Sequence, residues 1–200
     1  MKDSPPPAQF SLVGGYLDLA GAAFAADGPL AGIDAAGLAA FNALLHAVAP
    51  DAPPLDAGLL GTMAKRLSAT GPEAEKARTS IARRIAEVGL LARMAADPAW
   101  RLPGSDIERI TKVKSYFESA EDLIPDHMPD IGLLDDAILI ELLVRALHGE
   151  LDDYADFCRY REKRAHGPEG DGETQAFERR DWLALKRAER KATSPRAGFR

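Results

Sequence analysis

Two hundred residues are ample for one hydrophobic core, and 46% hydrophobic with 28% charged side chains describe a soluble globular chain, excluding a disordered polymer or a membrane-embedded bundle. The single cysteine, Cys158, excludes an intramolecular disulfide framework and any multi-cysteine zinc or iron–sulfur site within one chain, which predicts a reducing, cytoplasmic address. The net charge of −6 is a sum over −5 in residues 1–64, −6 in 65–158 and +5 in 159–200, an acidic body with a basic tail.

Residues 1–69 read as an Ala/Gly-rich, partly helical region. Phe10 to Ala26 is mostly apolar and Ala23-Phe24-Ala25 imitates a signal-peptidase site. Asp18 interrupts the stretch, Asp3 offsets Lys2 and Pro5-Pro6-Pro7 is a poor lead-in, so the segment is not read as a secretion signal. A helix is predicted at Gly37–Ala49, where Leu38, Phe41, Leu44, Leu45 and Val48 recur at helical spacing.

The helical core is predicted over 70–164. Thr70-Gly71-Pro72-Glu73 has the spacing of a capping box with proline in the first turn, opening a helix to about Ala96 with Ile81, Ile85, Val88, Leu91, Ala92 and Ala95 on its buried stripe. Ser105-Asp106-Ile107-Glu108 repeats that spacing. The helix it opens is predicted to run to about Ala120 and to bury Ile107, Ile110, Val113, Tyr116 and Phe117. Pro125 and Pro129 then force a bend, because each lacks an amide donor and clashes with a preceding helical turn. Ile131 to Leu147 is the most apolar segment, too short and too charged for a membrane span, and reads as a buried helix with Glu141, Arg145 and His148 on one polar stripe and Gly149 as its stop. Glu150 to Arg164 is the next helix, with Leu151, Tyr154, Ala155 and Cys158 on one face, so the cysteine reads as a small core residue and not a nucleophile. A linker over 165–173, containing His166-Gly167-Pro168-Glu169-Gly170-Asp171-Gly172, leads to a basic helix and tail over 174–200, helical at Thr174–Lys191. No alternating β-branched run and no internal repeat occurs, so the expected fold is all-α, a small helical bundle with a central hairpin around the Pro-Asp bend.

The spacing Asp122-Leu123-Ile124-Pro125-Asp126, then Pro129, Gly132 and Leu134-Asp135-Asp136, resembles the signature of the bacterial YkvA family, also called domain of unknown function 1232. The resemblance covers roughly 45 residues, about 106–151. It implies a short helical hairpin around the proline bend in a family that is largely uncharacterised and often suspected of membrane association; a related segment occurs in a membrane-anchored ubiquitin ligase. This chain departs from many members in having His127 after Asp126 and Asp130 after the second proline, and its hairpin carries more charge than membrane insertion favours.

Five aspartates fall within 15 positions, at 122, 126, 130, 135 and 136. One reading is architectural: Asp130 caps the helix at Ile131, Asp135 and Asp136 complement the positive end of its dipole, and Asp122 and Asp126 hold the bend. The other is a hard-cation site in which Asp126, Asp130 and Asp135 or Asp136 converge on Mg²⁺, Mn²⁺ or Ca²⁺, with His127 as an optional ligand for a softer metal. The spacing matches no calcium loop, and no phosphate loop, nucleophile elbow or His-Glu-x-x-His helix is present, so no catalytic residue is assigned and no cofactor is required.

Glu118 to Asp156 holds 12 acids and one base, Arg145, whereas the tail helix from Glu178 to Lys191 sets six bases around Trp182, Leu183 and Leu185. Arg179, Arg180, Trp182, Lys186 and Arg187 are thus candidates for contact with an anionic membrane or an acidic protein face; the interspersed acids dilute the field and disfavour nucleic acid. The competing reading is a solvated helix, or one folded back on the chain's own acidic patch. The functional expectation is a non-catalytic cytoplasmic adaptor or assembly component with a protein partner. The alternatives are an Asp-cluster metalloprotein with hydrolase activity and a peripheral binder of anionic membrane through the tail.

Overall fold

The computed structural model describes residue 30 and residues 33–119, 121–165 and 177–193. These form seven α-helices and no strand, an all-α fold: α1 (Ala35–Val48), α2 (Ala57–Leu67), α3 (Pro72–Ala96), α4 (Gly104–Phe117), α5 (Leu134–Ala146), α6 (His148–Ala165) and α7 (Arg179–Thr193). The apolar stretch at 10–26, the linker at 166–172 and the tail from 194 lie outside the described residues.

Helix α5 is the axis of the bundle, packed by α1, α3, α4 and α6. Leu134 through Leu143 are all buried, so its apolar residues need no single stripe: every side meets a neighbour. Around it Phe41, Leu45 and Val48 of α1, Ile81, Leu91 and Met94 of α3, and Ile110 and Val113 of α4 complete the core. Helix α1 starts where Asp34 accepts the Gly37 amide at 2.6 Å. Helix α2, which hydrophobic spacing alone did not reveal, starts in the same way, with Asp56 accepting from the Leu59 amide at 2.8 Å.

Several expected boundaries move. Neither capping box forms. Gly71, at φ 109°, occupies the cap position of α3 and leaves Thr70 one residue outside the helix, while Pro72 takes the first turn as expected. Arg78 of α3 instead closes the end of α2, donating to the Leu67 carbonyl at 2.6 Å and the Ala69 carbonyl at 3.3 Å. Helix α4 begins on Gly104 after Pro103, whose carbonyl accepts the Asp106 and Ile107 amides, so Ser105 lies within the first turn. It ends at Phe117, before the expected Ala120, and Ile107 stays exposed. Gly149 stops nothing: the break falls at Leu147, two residues earlier, and α6 runs through Gly149.

The far end of the bundle is aromatic. Phe157 of α6, which the periodicity argument passed over, is fully buried between Trp100 at 5.2 Å and Phe177 at 5.7 Å. Cys158 is half-buried against this core. Asp97 at the end of α3 accepts from the Ala99 amide at 2.9 Å, Arg161 at 3.1 Å and the Tyr154 hydroxyl at 3.2 Å, tying α6 to the α3–α4 corner.

Candidate functional site at the Pro-Asp bend

Pro125 and Pro129 keep the chain out of helix between α4 and α5, and the bend is held from beneath by one side chain. Asp135 is 0% exposed, and its Oδ2 accepts the Tyr116 hydroxyl at 2.6 Å and the Ile124 amide at 3.0 Å. The Tyr116 hydroxyl in turn accepts the Leu123 amide at 2.8 Å, so a tyrosine of α4 and an aspartate of α5 satisfy two amides of the loop. Ile124 and Ile131 pin the loop into the core on either side. Gly132 is needed where the chain crosses itself: a Cβ there would come within 2.9 Å of the Asp126 Cα and closer still to its carbonyl.

Asp130 caps no helix. It sits at φ 67°, α5 starts four residues later at Leu134, and Leu133 holds the cap position with no side-chain bond. The left-handed turn at Asp130 carries its carboxylate to Arg78 of α3, 3.7 Å away, and so out of the cation site sketched from the sequence. Asp122, Asp126, Asp135 and Asp136 lie within one another's electric field, and one carboxylate oxygen on each of Asp122, Asp135 and Asp136 is sealed from solvent with no donor.

Burial, then the charges of Asp135, Asp126 and Asp122, push Asp136 up to about 7. Burial also raises Asp135, against the hydrogen bonds from Tyr116 and Ile124, and burial followed by the charge of Asp126 raises Asp122. Tyr116 is raised by burial and by Asp135, so it stays a neutral donor. No three or more His, Cys, Asp or Glu side chains among the described residues are gathered so as to hold a metal ion by themselves, and His127 is exposed. Above this buried layer Pro125, Asp126, His127, Pro129 and Asp130 face solvent together with Leu133, which at 37% is one of two exposed large hydrophobic residues among those described.

The polar stripe of α5 also has a partner that spacing could not show. Glu141, 3% exposed, receives Arg145 Nε at 2.7 Å as the i,i+4 spacing predicts, and in addition Arg84 of α3. Arg84 further pairs with Glu87 at 2.9 Å, and the group forms one wall of a cleft of about 550 Å³ between α3, α5 and α6, which His148, paired with Asp152 at 3.1 Å, also lines.

The tail helix is folded back. Trp182 is 4% exposed and packs edge-on to Phe157 and beside Tyr160, so it is not the outward anchor that a membrane contact needs. Arg179 pairs with Glu150 and lies over Trp100, while Lys186 pairs with Asp156 at 3.3 Å and lies over Trp182. The Arg179 amide donates to the Ala99 carbonyl at 2.8 Å, and Arg101 reaches Glu178 at 2.8 Å. Of the five tail candidates, Arg180 and Arg187 are exposed, and Arg180 lies 3.5 Å from Glu178 and 3.6 Å from Asp181. No helix among the described residues is long and apolar enough to cross a membrane.

No family model matches the chain, nor does any curated protein or solved structure.

Proposed function

We propose that this chain is a non-catalytic cytoplasmic adaptor or assembly component that presents the Pro-Asp bend to a protein partner. The observation that supports this most is the fixed shape of the bend: Asp135, wholly buried at the start of α5, holds Ile124 directly and Leu123 through Tyr116. An ordered loop on a rigid scaffold loses little entropy when it is bound, which favours recognition. The solvent side of the bend combines Asp126, Asp130, two prolines and Leu133, a surface for a partner with basic and apolar side chains. The YkvA-like spacing of the bend is consistent with a unit reused for its shape.

Photo-crosslinking in the native cell tests this reading. A crosslinking residue at His127 or Leu133 is expected to capture one and the same protein, whereas the same residue at Arg83 or Lys112, exposed on α3 and α4, captures none, and Asp126→Lys weakens the capture. Adducts that do not distinguish the bend from the controls overturn it.

A further inference from the structure

Helix α7 meets the body of the bundle through one face, while Arg180, Ala184 and Arg187 face solvent. Trp182 lies on the inner face with Arg179 three residues before it and Lys186 four residues after it, a spacing that keeps all three on one side of a helix. The seat they fill is held by contacts in which α7 takes no part. Trp100 from the α3–α4 corner packs on Tyr154 at 5.4 Å and on Phe157 at 5.2 Å, and Asp97 ties that corner to Tyr154 and Arg161 of α6. Glu150 and Asp156 of α6 form an acidic rim that meets Arg179 and Lys186. The fit is incomplete. Trp100 Nε1, Trp182 Nε1, Arg179 Nε and Glu150 Oε2 are sealed from solvent with no hydrogen-bond partner among the described residues. Arg179 and Glu150 thus join through a single Nη2–Oε1 contact, where a guanidinium and a carboxylate can form two. Trp182, Arg179 and Glu150 are hydrated when α7 is off its seat, so each of these missing bonds weakens its hold.

We infer that this seat is a docking groove for an amphipathic helix of a partner protein, one carrying a tryptophan with a base three residues before it and another four residues after it, and that α7 is its displaceable occupant. The chemistry of the incoming helix is read from α7 itself. Its tryptophan rests on Phe157 and Tyr160, at 6.4 and 5.7 Å, and its two bases meet Glu150 and Asp156. One buried aromatic anchor supplies affinity in such a groove, and complementary charge at the rim fixes the register. A partner helix that pairs with both oxygens of Glu150, or offers an acceptor to Trp100 Nε1, binds better than α7 does. The groove lies at the other end of α3 from the Pro-Asp bend: Arg78 faces Asp130 and Asp97 faces Arg161, and the helix between Arg78 and Asp97 spans about 28 Å. It is therefore a second interaction surface, and it does not depend on the adaptor reading of the bend.

The probe is a fluorescein-labelled peptide of residues 177–193, titrated with the full chain and followed by fluorescence anisotropy. The wild-type chain is expected to bind it weakly, because its own α7 competes at an effective concentration on the order of millimolar. Trp182→Ala in the chain removes the anchor of the competing helix and is expected to tighten peptide binding about tenfold or more. Lys186→Glu, which reverses a rim charge and leaves the aromatic floor alone, acts in the same direction. In the Trp182→Ala chain, Glu150→Lys weakens binding about tenfold, and a peptide that itself carries Trp182→Ala does not bind. Absence of saturable binding to both variant chains, or equal binding to these and to the wild type, overturns the proposal. Binding that ignores Glu150→Lys or the peptide's own Trp182→Ala also overturns it, since a basic peptide is then only adhering to acidic surface. In the wild-type chain, hydrogen exchange is expected to be faster in α7 than in α6, and equal protection of the two helices means that α7 does not leave its seat. Release of α7 by vesicles containing phosphatidylserine, with no peptide binding, assigns the helix to a membrane and overturns the groove.

Discussion

Helix α5 buries acids in two places, and they are handled in opposite ways. Glu141, in its third turn, is flanked by Arg84 from α3 and Arg145 from its own helix; Asp136, in its first turn, has only acids around it. Burial is the same within a few per cent, so the difference lies in what the neighbouring elements bring. At mid-helix the neighbour is α3, which carries an arginine. At the start the neighbour is the proline bend, which carries more carboxylates and whose Ile124 amide goes to Asp135. A buried acid with arginines is a structural bolt. One without them is driven toward its protonated form.

Removing the bolt should have the largest effect. Glu141→Gln removes the buried charge that faces both Arg84 and Arg145 and is expected to lower stability by about 3 kcal/mol, measured by denaturant unfolding at neutral pH. The opposite sign is expected at the other acid. At pH 8, Asp136→Asn should stabilise by about 2 kcal/mol, because the folded wild type must then carry an unpaired buried charge. With the folded pKa up at about 7 against an ordinary value of 3.8, the folded state binds more protons than the unfolded one between those values. Stability therefore falls as pH rises from about 4 to about 7, and Asp136→Asn should flatten that slope. Equal pH slopes in the two proteins would remove the contrast between the two acids.

Tyr116→Phe should cost about 1–2 kcal/mol, since it takes a donor from Asp135 and an acceptor from the Leu123 amide. Hydrogen exchange at Leu123 should speed up more than exchange in α3; uniform acceleration would mean that the bend is not held locally. The smallest change belongs to Asp130→Gly, below 1 kcal/mol in either direction, because relief of the left-handed backbone offsets loss of an exposed contact to Arg78.

The contrast between local and distant information runs through the whole molecule. Helices α1, α3 and α5 and the apolar stripes on α3 and α4 were readable because period is a property of a few consecutive residues. The caps were read less well: Thr70 and Ser105 have the right spacing, but a glycine at positive φ moves the first cap one residue on, a proline takes the second two residues back, and neither hydroxyl caps its helix. Helix α2 was signalled only by Asp56, a single cap with too short an apolar pattern behind it. At the bend, the residue types showed five aspartates but not which of them face one another. A left-handed turn aims Asp130 at Arg78 of α3, away from the other four.

The tail shows the same division. Its amphipathic pattern is written in residues 178–191, and so is the charge that could meet a membrane or the chain's own acids. Which of these it meets depends on Trp100, Phe157 and Tyr160, brought together from α6 and the α3–α4 corner to receive Trp182. Composition, period and proline placement decided the all-α class and the bend, since each acts through the backbone of neighbouring residues. Pairing decided the rest. Whether a buried acid finds an arginine, a tyrosine or nothing is set by elements tens of residues away, and only the packed bundle gave Glu141 to Arg84, Asp135 to Tyr116, and Asp136 to no donor at all.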